Sequence, residues 1–373
     1  MNIISLQKNL KAAVYAVNHI AQKNTNLPIL NNILISAKDG VISLVSTNLE
    51  IGITSLLRGK IEKEGSFTVD ARLFSDYVGL LNNEKVSAAV VDNELIIECG
   101  ESKTKIRGLS AEEFPFIPVV DRSIQYTIPV EDLKKAVGQV IFAAAQDDSR
   151  AELSGVLFIL RSKEMILAAT DSYRLAEKQV PIIAADDEER RCIVPARTLQ
   201  EVVRVLGADT GEEVAPKEVL FYLAENQCLF SIGNTEIVSR LIDGRYPDYR
   251  QIIPERYQCR LSVSRQDLSR AVKAAAIFSK AGVNDITLEI SISKKTLSVM
   301  AASGQSGEHM SALAATASGE DTSITLNSRY LLDVLAVMTN EAAVLEIIDE
   351  NAPCIVRDGE RSDYLYIIMP IRK

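Results

Sequence analysis

The chain has 373 residues, 47% of them apolar, enough for three ordinary hydrophobic cores. It has two histidines, no tryptophan and no P-loop, GxGxxG or HExxH pattern, so a His-based triad or metal centre has almost nothing to draw on, no cofactor is expected, and the balance moves toward binding or scaffolding. The net charge of −9 argues, taken alone, against nucleic acid.

The first residues carry no apolar signal core, and no stretch approaches the ~20 apolar residues of a membrane span. Residues 7–23 are predicted to be helical. Leu6, Leu10, Ala13, Val14, Val17 and Ala21 form one stripe at helical spacing, while Lys8, Lys11, Tyr15, Asn18 and Gln22 line the opposite face without an acid. The polar loop Lys23-Asn24-Thr25-Asn26 ends it. Strands are predicted at 33–37 and 41–46 around Lys38-Asp39-Gly40, a hairpin signal, and at 50–56. A second helix opens at Ala71-Arg72, and the hairpin 85–91 and 94–99, turned at Asp92-Asn93, closes the unit. His19 falls in the helical pattern and His309 in a Gly/Ser-rich stretch; both are expected to be solvent-exposed. The five cysteines (Cys99, Cys192, Cys228, Cys259, Cys354) are scattered, suit a reducing, cytoplasmic setting, and spell out neither a disulfide framework nor a zinc site.

The helix opening at Arg72 recurs. Val69-Asp70-Ala71-Arg72-Leu73, Val194-Pro195-Ala196-Arg197-Thr198 and Leu326-Asn327-Ser328-Arg329-Tyr330 each follow a short β-type run. A repeat this long has the size of a domain. The first helix also recurs: Leu10, Ala13, Val14 and Val17 have the spacing of Leu133, Ala136, Val137 and Val140, and of Leu268, Ala271, Val272 and Ala275. Aromatic-Pro joins at Phe114-Pro115 and Tyr246-Pro247 give stiff, extended connections. The expectation is an α+β chain of three domains, 1–121, 122–255 and 256–373, each a duplicated strand-helix-strands unit.

The predicted helices (7–23, 71–82, 131–146, 196–207, 264–280 and 328–338) together carry +7, which leaves −16 on the rest of a chain of net −9. Either the helices share a surface that attracts phosphate while the remainder repels it, or Lys and Arg merely decorate solvated faces. No recognition helix or base-stacking motif accompanies them, so nucleic-acid binding would be backbone contact without sequence preference.

End to end, the chain resembles the bacterial sliding clamps, the beta subunits of DNA polymerase III. The most specific pieces are Leu27-Pro28-Ile29-Leu30, Ala169-Thr170-Asp171-Ser172-Tyr173-Arg174-Leu175-Ala176, Asp243-Gly244-Arg245-Tyr246-Pro247-Asp248-Tyr249 and Met369-Pro370-Ile371-Arg372. The resemblance implies three clamp-type domains per chain and a head-to-tail homodimer that closes a ring, helices inside and sheets outside, around double-stranded DNA. It implies a processivity factor, not an enzyme, that tethers the replicative DNA polymerase, the clamp loader and repair polymerases. Their peptides would enter a pocket of Leu153, Thr170, Tyr173, Arg174, Leu175, Pro247, Ile252, Asn327, Tyr330, Ile367, Met369, Pro370, Ile371 and Arg372. Tyr173 stands where the family often has His. On residues alone, Leu153, Leu175 and Ile367 read as ordinary core.

For DNA, Arg150, Arg197 and Arg204 match basic positions of the family, and Lys8, Lys11, Arg270, Lys273 and Lys280 come from the helix inventory. The Arg that some members carry at Asn24, and the aromatics at Ala151 and Glu152, are missing. Ile277 and Phe278 belong by position at the subunit contact. Two other readings compete. An enzyme could hide its site at Thr170-Asp171-Ser172, but no base is placed beside it; a protein-binding scaffold without DNA leaves the basic helices unexplained.

Overall fold

The computed structural model describes residues 1–21, 26–184, 187–208, 215–280, 282–304 and 306–372. The first repeat runs β1 (Asn2–Leu6), α1 (Gln7–Asn18), β2 (Asn32–Lys38), β3 (Val41–Thr47), β4 (Ile51–Leu56), β5 (Gly59–Lys63), β6 (Gly65–Asp70), α2 (Ala71–Leu80), β7 (Lys85–Val91), β8 (Glu94–Cys99) and β9 (Ser102–Leu109). The second runs β10 (Gln125–Pro129), α3 (Val130–Val140), β11 (Gly155–Leu160), β12 (Glu164–Thr170), β13 (Arg174–Pro181), β14 (Ile183–Ala184), β15 (Arg190–Pro195), α4 (Ala196–Leu206), β16 (Glu218–Leu223), β17 (Gln227–Ile232) and β18 (Thr235–Arg240). The third runs β19 (Cys259–Ser264), α5 (Arg265–Ala276), β20 (Asp285–Ser291), β21 (Thr296–Ser303), β22 (Gly307–Gly319), β23 (Thr322–Asn327), α6 (Ser328–Val337), β24 (Ala342–Ile347), β25 (Cys354–Asp358) and β26 (Tyr364–Ile368).

These elements form two compact units that cut through the second repeat. One unit holds residues 1–134, 182–188 and 197–241 around a 14-stranded sheet, ordered β14-β10-β16-β17-β18-β4-β3-β2-β6-β9-β8-β7-β1-β5. The other holds 135–181, 189–196 and 242–373 around a 12-stranded sheet, β15-β11-β12-β13-β26-β25-β24-β19-β22-β21-β20-β23. The joins between repeats are strand ladders: β18 pairs with β4 in the first unit, and β13 with β26 in the second. Backbone pairing therefore runs on where the chain passes from one repeat to the next.

The repeat extends to single hydrogen bonds. Before β4, the Thr47 hydroxyl donates to the Ile51 carbonyl (2.9 Å), Leu49 N–H donates to Thr47 Oγ1 (3.0 Å), and Asn48 Oδ1 accepts from Glu50 and Ile51 N–H (3.0 and 2.7 Å). Before β13 the same four bonds are made by Thr170, Ser172 and Asp171 with Tyr173 and Arg174, at 2.6, 3.1, 3.0 and 3.0 Å. Leu49 and Ser172 both take φ near the left-handed region, +75° and +77°. An Asx side chain that satisfies the two following N–H groups makes such a turn accessible without glycine.

The helices are shorter than their patterns. In α1, Leu10, Ala13, Val14 and Val17 are buried as the stripe predicts, but Leu6 ends β1 and is exposed. The helix stops at Asn18 and not at residue 23, because side chains from elsewhere take its last carbonyls: Ser46 Oγ donates to Val17 O (2.5 Å), and Arg204 donates to Tyr15 and Ala16 O (2.7 and 2.6 Å). Lys23 and Asn24 lie outside the described residues. The other first helices end at Val140 and Ala276, so Lys280 lies beyond α5. The two-residue turns at Asp39-Gly40 and Asp92-Asn93 have positive φ at both positions, as a type I′ hairpin requires.

Candidate functional site

The chain's last strand, β26, delivers a tail that is fixed on both sides. Met369 N–H donates to the Tyr173 carbonyl and Ile371 N–H to the Thr325 carbonyl, both at 2.8 Å. Pro370 between them has no N–H to satisfy. Met369, Pro370 and Ile371 are half-buried and Arg372 is exposed. The tail is thus a stationary edge, against the usual behaviour of a terminus.

Beside it stands the β12–β13 turn, held by Arg174. The guanidinium is 8% exposed. It donates from Nε to Asp171 Oδ2 (2.9 Å) and from Nη1 to Asp333 Oδ2 on α6 (2.5 Å), and it lies over the rings of Tyr330 (4.5 Å) and Phe142 (5.5 Å). Burial pushes its pKa down, but Tyr366, Asp333 and Asp171 outweigh that and hold it above the ordinary arginine value. Tyr366 packs on Phe142 (5.6 Å) and donates its hydroxyl to the Tyr330 carbonyl (3.0 Å). Arg174 thus ties the turn to α6 and stiffens the rim.

Of the expected pocket residues, Tyr173 (64% exposed) and Ile252 (43%) present apolar surface, and Pro247 and Tyr330 are half-buried. Thr170 is buried, its N–H donating to Tyr246 Oη (3.1 Å), and Asn327 caps α6 by accepting from Arg329 N–H (2.9 Å). Leu175 and Ile367 belong to the core cluster with Leu157, Ile166, Tyr249 and Ile355, and Leu153 is equally buried. These three are floor, without surface to offer a ligand. Phe142, Asp171, Tyr246, Asp333 and Tyr366 complete the arrangement and were not anticipated. Asp333, one helical turn after Arg329, was the one with a sequence signal.

The basic residues separate into two groups. Lys8, Lys11, Lys273 and Lys280 are exposed with no ion pair among the described residues, and Arg197 is exposed at the start of α4. Arg270 is exposed but paired with Asp267. Arg150 is engaged by Glu152 and Ser172 Oγ (both 3.1 Å). Arg204, expected to face DNA, is engaged within the chain: besides capping α1 it donates to Glu201 (2.9 Å) and covers the Tyr15 ring at 5.0 Å. His19 is exposed yet bonded to the buried Glu201 (2.5 Å). Ile277 is 73% exposed, whereas Phe278 is half-buried and stacks on His309 at 5.6 Å.

Three αβ repeats joined by continuous sheets, with a rigid tail cradle at the last join, define a clamp-type subunit. Domain families described as the N-terminal, central and C-terminal domains of the DNA polymerase III beta subunit match residues 1–118, 127–248 and 250–372. The chain belongs to the DNA polymerase III beta subunit family, the non-catalytic sliding clamps. The beta sliding clamp of Staphylococcus epidermidis is 27% identical over 358 residues, 93% of each chain. The DNA polymerase III beta subunit of Pseudomonas aeruginosa superposes with a TM-score of 0.93 at 26% identity over all of both chains. The sliding clamp of Bartonella birtlesii, solved with bound griselimycin, gives 0.91 at 28% identity, again over all of both. No helix among the described residues is long and apolar enough to cross a membrane.

Proposed function

We propose that this sliding clamp works in the cytoplasm as a head-to-tail homodimer of domains 1–121, 122–255 and 256–373, encloses double-stranded DNA, and receives short apolar peptides of the replicative polymerase, clamp loader and repair polymerases at the tail cradle. The observation that carries the reading is the cradle itself: Met369 and Ile371 held by backbone bonds beside the exposed Tyr173 and Ile252. A preordered apolar edge loses little entropy when a peptide docks, so burial of side chains at ~1.5–3 kcal/mol each is largely retained as affinity. Lys8, Lys11, Arg197, Lys273 and Lys280 supply phosphate contacts that need no base readout.

The test is to load the protein on nicked circular DNA and cut the circle. Retention before the cut and release after it is the expected result. Equal retention on circular and linear DNA would remove encirclement, and no retention on either would favour the protein-only scaffold.

A further inference from the structure

The chain's sulfur atoms fall into two sets. All five cysteines are free and buried. Burial, the largest cause in each case, pushes up the thiols of Cys99, Cys192, Cys259 and Cys354, those of Cys192 and Cys354 to about 12. A thiol meets peroxide as its thiolate, so these four are poor targets at neutral pH, and Cys228 is wholly buried. A thioether needs no deprotonation to react. Of the six methionines, Met1, Met165 and Met338 are buried, and Met300, Met310 and Met369 keep solvent access.

Met300 and Met310 face each other across the β21–β22 ladder. Met369 stands in the tail cradle instead. Its N–H is held by the Tyr173 carbonyl, Ile371 two residues on is held by Thr325, and Pro370 between them fixes φ near ~−65°. The backbone that carries the thioether is therefore pinned on both sides, and the sulfur stays half-buried at the docking edge. We propose that Met369 is a reversible oxidation site, and that converting it to the sulfoxide with a peroxide releases the docked peptide; the proposal rests on the tail-cradle reading.

The step is a two-electron oxygen transfer. A sulfur lone pair attacks one oxygen of hydrogen peroxide, the S–O bond forms as the O–O bond breaks, and the proton on the transferred oxygen passes to the leaving hydroxide. Sulfur is oxidised to the sulfoxide and the second peroxide oxygen leaves as water. A thiol-dependent methionine sulfoxide reductase reverses it, two thiols becoming a disulfide as the oxygen leaves as water.

The consequence lies in what the cradle offers. Its presented surface is Tyr173, Ile252, Met369 and Ile371, suited to apolar side chains. A thioether is a weak acceptor that packs as a flexible hydrocarbon. A sulfoxide adds a strong acceptor oxygen and a chiral centre at sulfur. A docking apolar side chain would cover that oxygen without supplying a donor, and covering an unpaired polar group opposes binding. The core is not involved: Leu175 and Ile367 of the floor lie in the buried cluster, and the backbone bonds of Met369 and Ile371 do not use the sulfur. The switch thus acts on docking and leaves the fold in place.

The experiment treats full-length clamp with hydrogen peroxide, removes the peroxide, maps the added oxygen by peptide mass spectrometry, and titrates a methionine-free apolar peptide derived from the polymerase. Oxidation of Met369 should weaken that peptide about tenfold or more with little change in the melting curve, and reductase with a thiol should restore it. The Met300→Leu, Met310→Leu double variant keeps Met369 as its accessible thioether and should lose affinity as the parent does. Met369→Leu, whatever its starting affinity, should show the same affinity before and after peroxide. A parent oxidised at Met369 with undiminished affinity, a double variant that peroxide leaves unaffected, or a Met369 that stays reduced while Met310 is fully converted overturns the oxidation site and leaves the cradle standing. Untreated parent that fails to bind the peptide overturns the cradle itself.

Discussion

Arg204 donates from Nη1 to the Tyr15 carbonyl at 2.7 Å while its guanidinium covers the Tyr15 ring at 5.0 Å. The arginine sits on α4 of the second repeat and the carbonyl at the C-terminal end of α1 in the first. A cation at a helix C-terminus satisfies orphan carbonyls and complements the dipole. Basic residues on clamp helices are therefore not interchangeable, and the next two predictions separate them.

Arg204→Ala leaves Glu201, 4% exposed, with His19 as its remaining partner, and uncaps α1. Breaking a buried pair on one side costs about 3 kcal/mol. The expected outcome is a lower urea midpoint with unchanged salt dependence of DNA retention. A variant as stable as the parent that loses DNA would reverse the assignment.

Lys8→Glu with Lys11→Glu should do the opposite. Both side chains are exposed and unpaired among the described residues, so stability should move by no more than about 0.5 kcal/mol. Short-duplex binding should weaken, its logarithmic salt slope falling by roughly one for each phosphate that is no longer neutralised. Fluorescence anisotropy across a salt series measures this.

The triplicated helix start was legible because Arg72, Arg197 and Arg329 each follow a β-type run and open an apolar helical pattern. The floor of the cradle was legible too: Leu175 and Ile367 read as core and are core. β9 was not legible. Lys103-Thr104-Lys105-Ile106-Arg107 has one apolar residue, because its charged positions are paired along the hairpin with Glu94 and Glu98 and not buried. Nor was Arg204's role, since a cap and a phosphate contact both ask for an arginine on a helix. Only tertiary contacts, Tyr15 and Glu201 here or Asp333 at Arg174, distinguish a structural guanidinium from a free one.

Asp358 sets an acid limit. Burial alone would raise its pKa, but Thr339 N–H and Oγ1 (2.9 and 2.8 Å) and Asn340 N–H (2.8 Å) donate to the carboxylate and hold it below the usual range. A depressed folded pKa contributes stability that is full above the unfolded value of ~3.9 and is lost as pH falls through the folded one. Denaturant midpoints should therefore drop below about pH 4, and Asp358→Asn should be less stable at pH 7 with a shallower drop in acid. Parallel acid limbs in the two proteins would count against this carboxylate.

Arg174→Lys tests the rim. Lysine keeps the charge but cannot reach Asp171 and Asp333 together while lying flat on Tyr330. The site is mostly buried although Asp333 is 43% exposed, so a loss of about 2 kcal/mol is expected, below the figure for a fully buried pair. Peptide affinity should fall with it, because Tyr173 is no longer held. Unaltered affinity in a destabilised variant would confine Arg174 to a packing role.

The tail carries the strongest prediction. Its two backbone bonds end on Tyr173 and Thr325, a turn and an edge strand, so water can replace the tail at both carbonyls when it is removed. Deleting residues 369–373 should then cost little stability. Peptide binding should respond differently. Met369 and Ile371 are the apolar groups presented on a fixed backbone, each worth ~1.5–3 kcal/mol when buried, so losing both should weaken a docked peptide a hundredfold or more. Met369→Ala and Ile371→Ala separately should each cost about tenfold and together act nearly additively if each fills its own site. Calorimetry with a polymerase-derived peptide on the deletion, the two single variants and the double variant, beside melting curves and sedimentation, checks all of this. A truncated dimer with parental peptide affinity would show that the docking surface lies elsewhere on the chain.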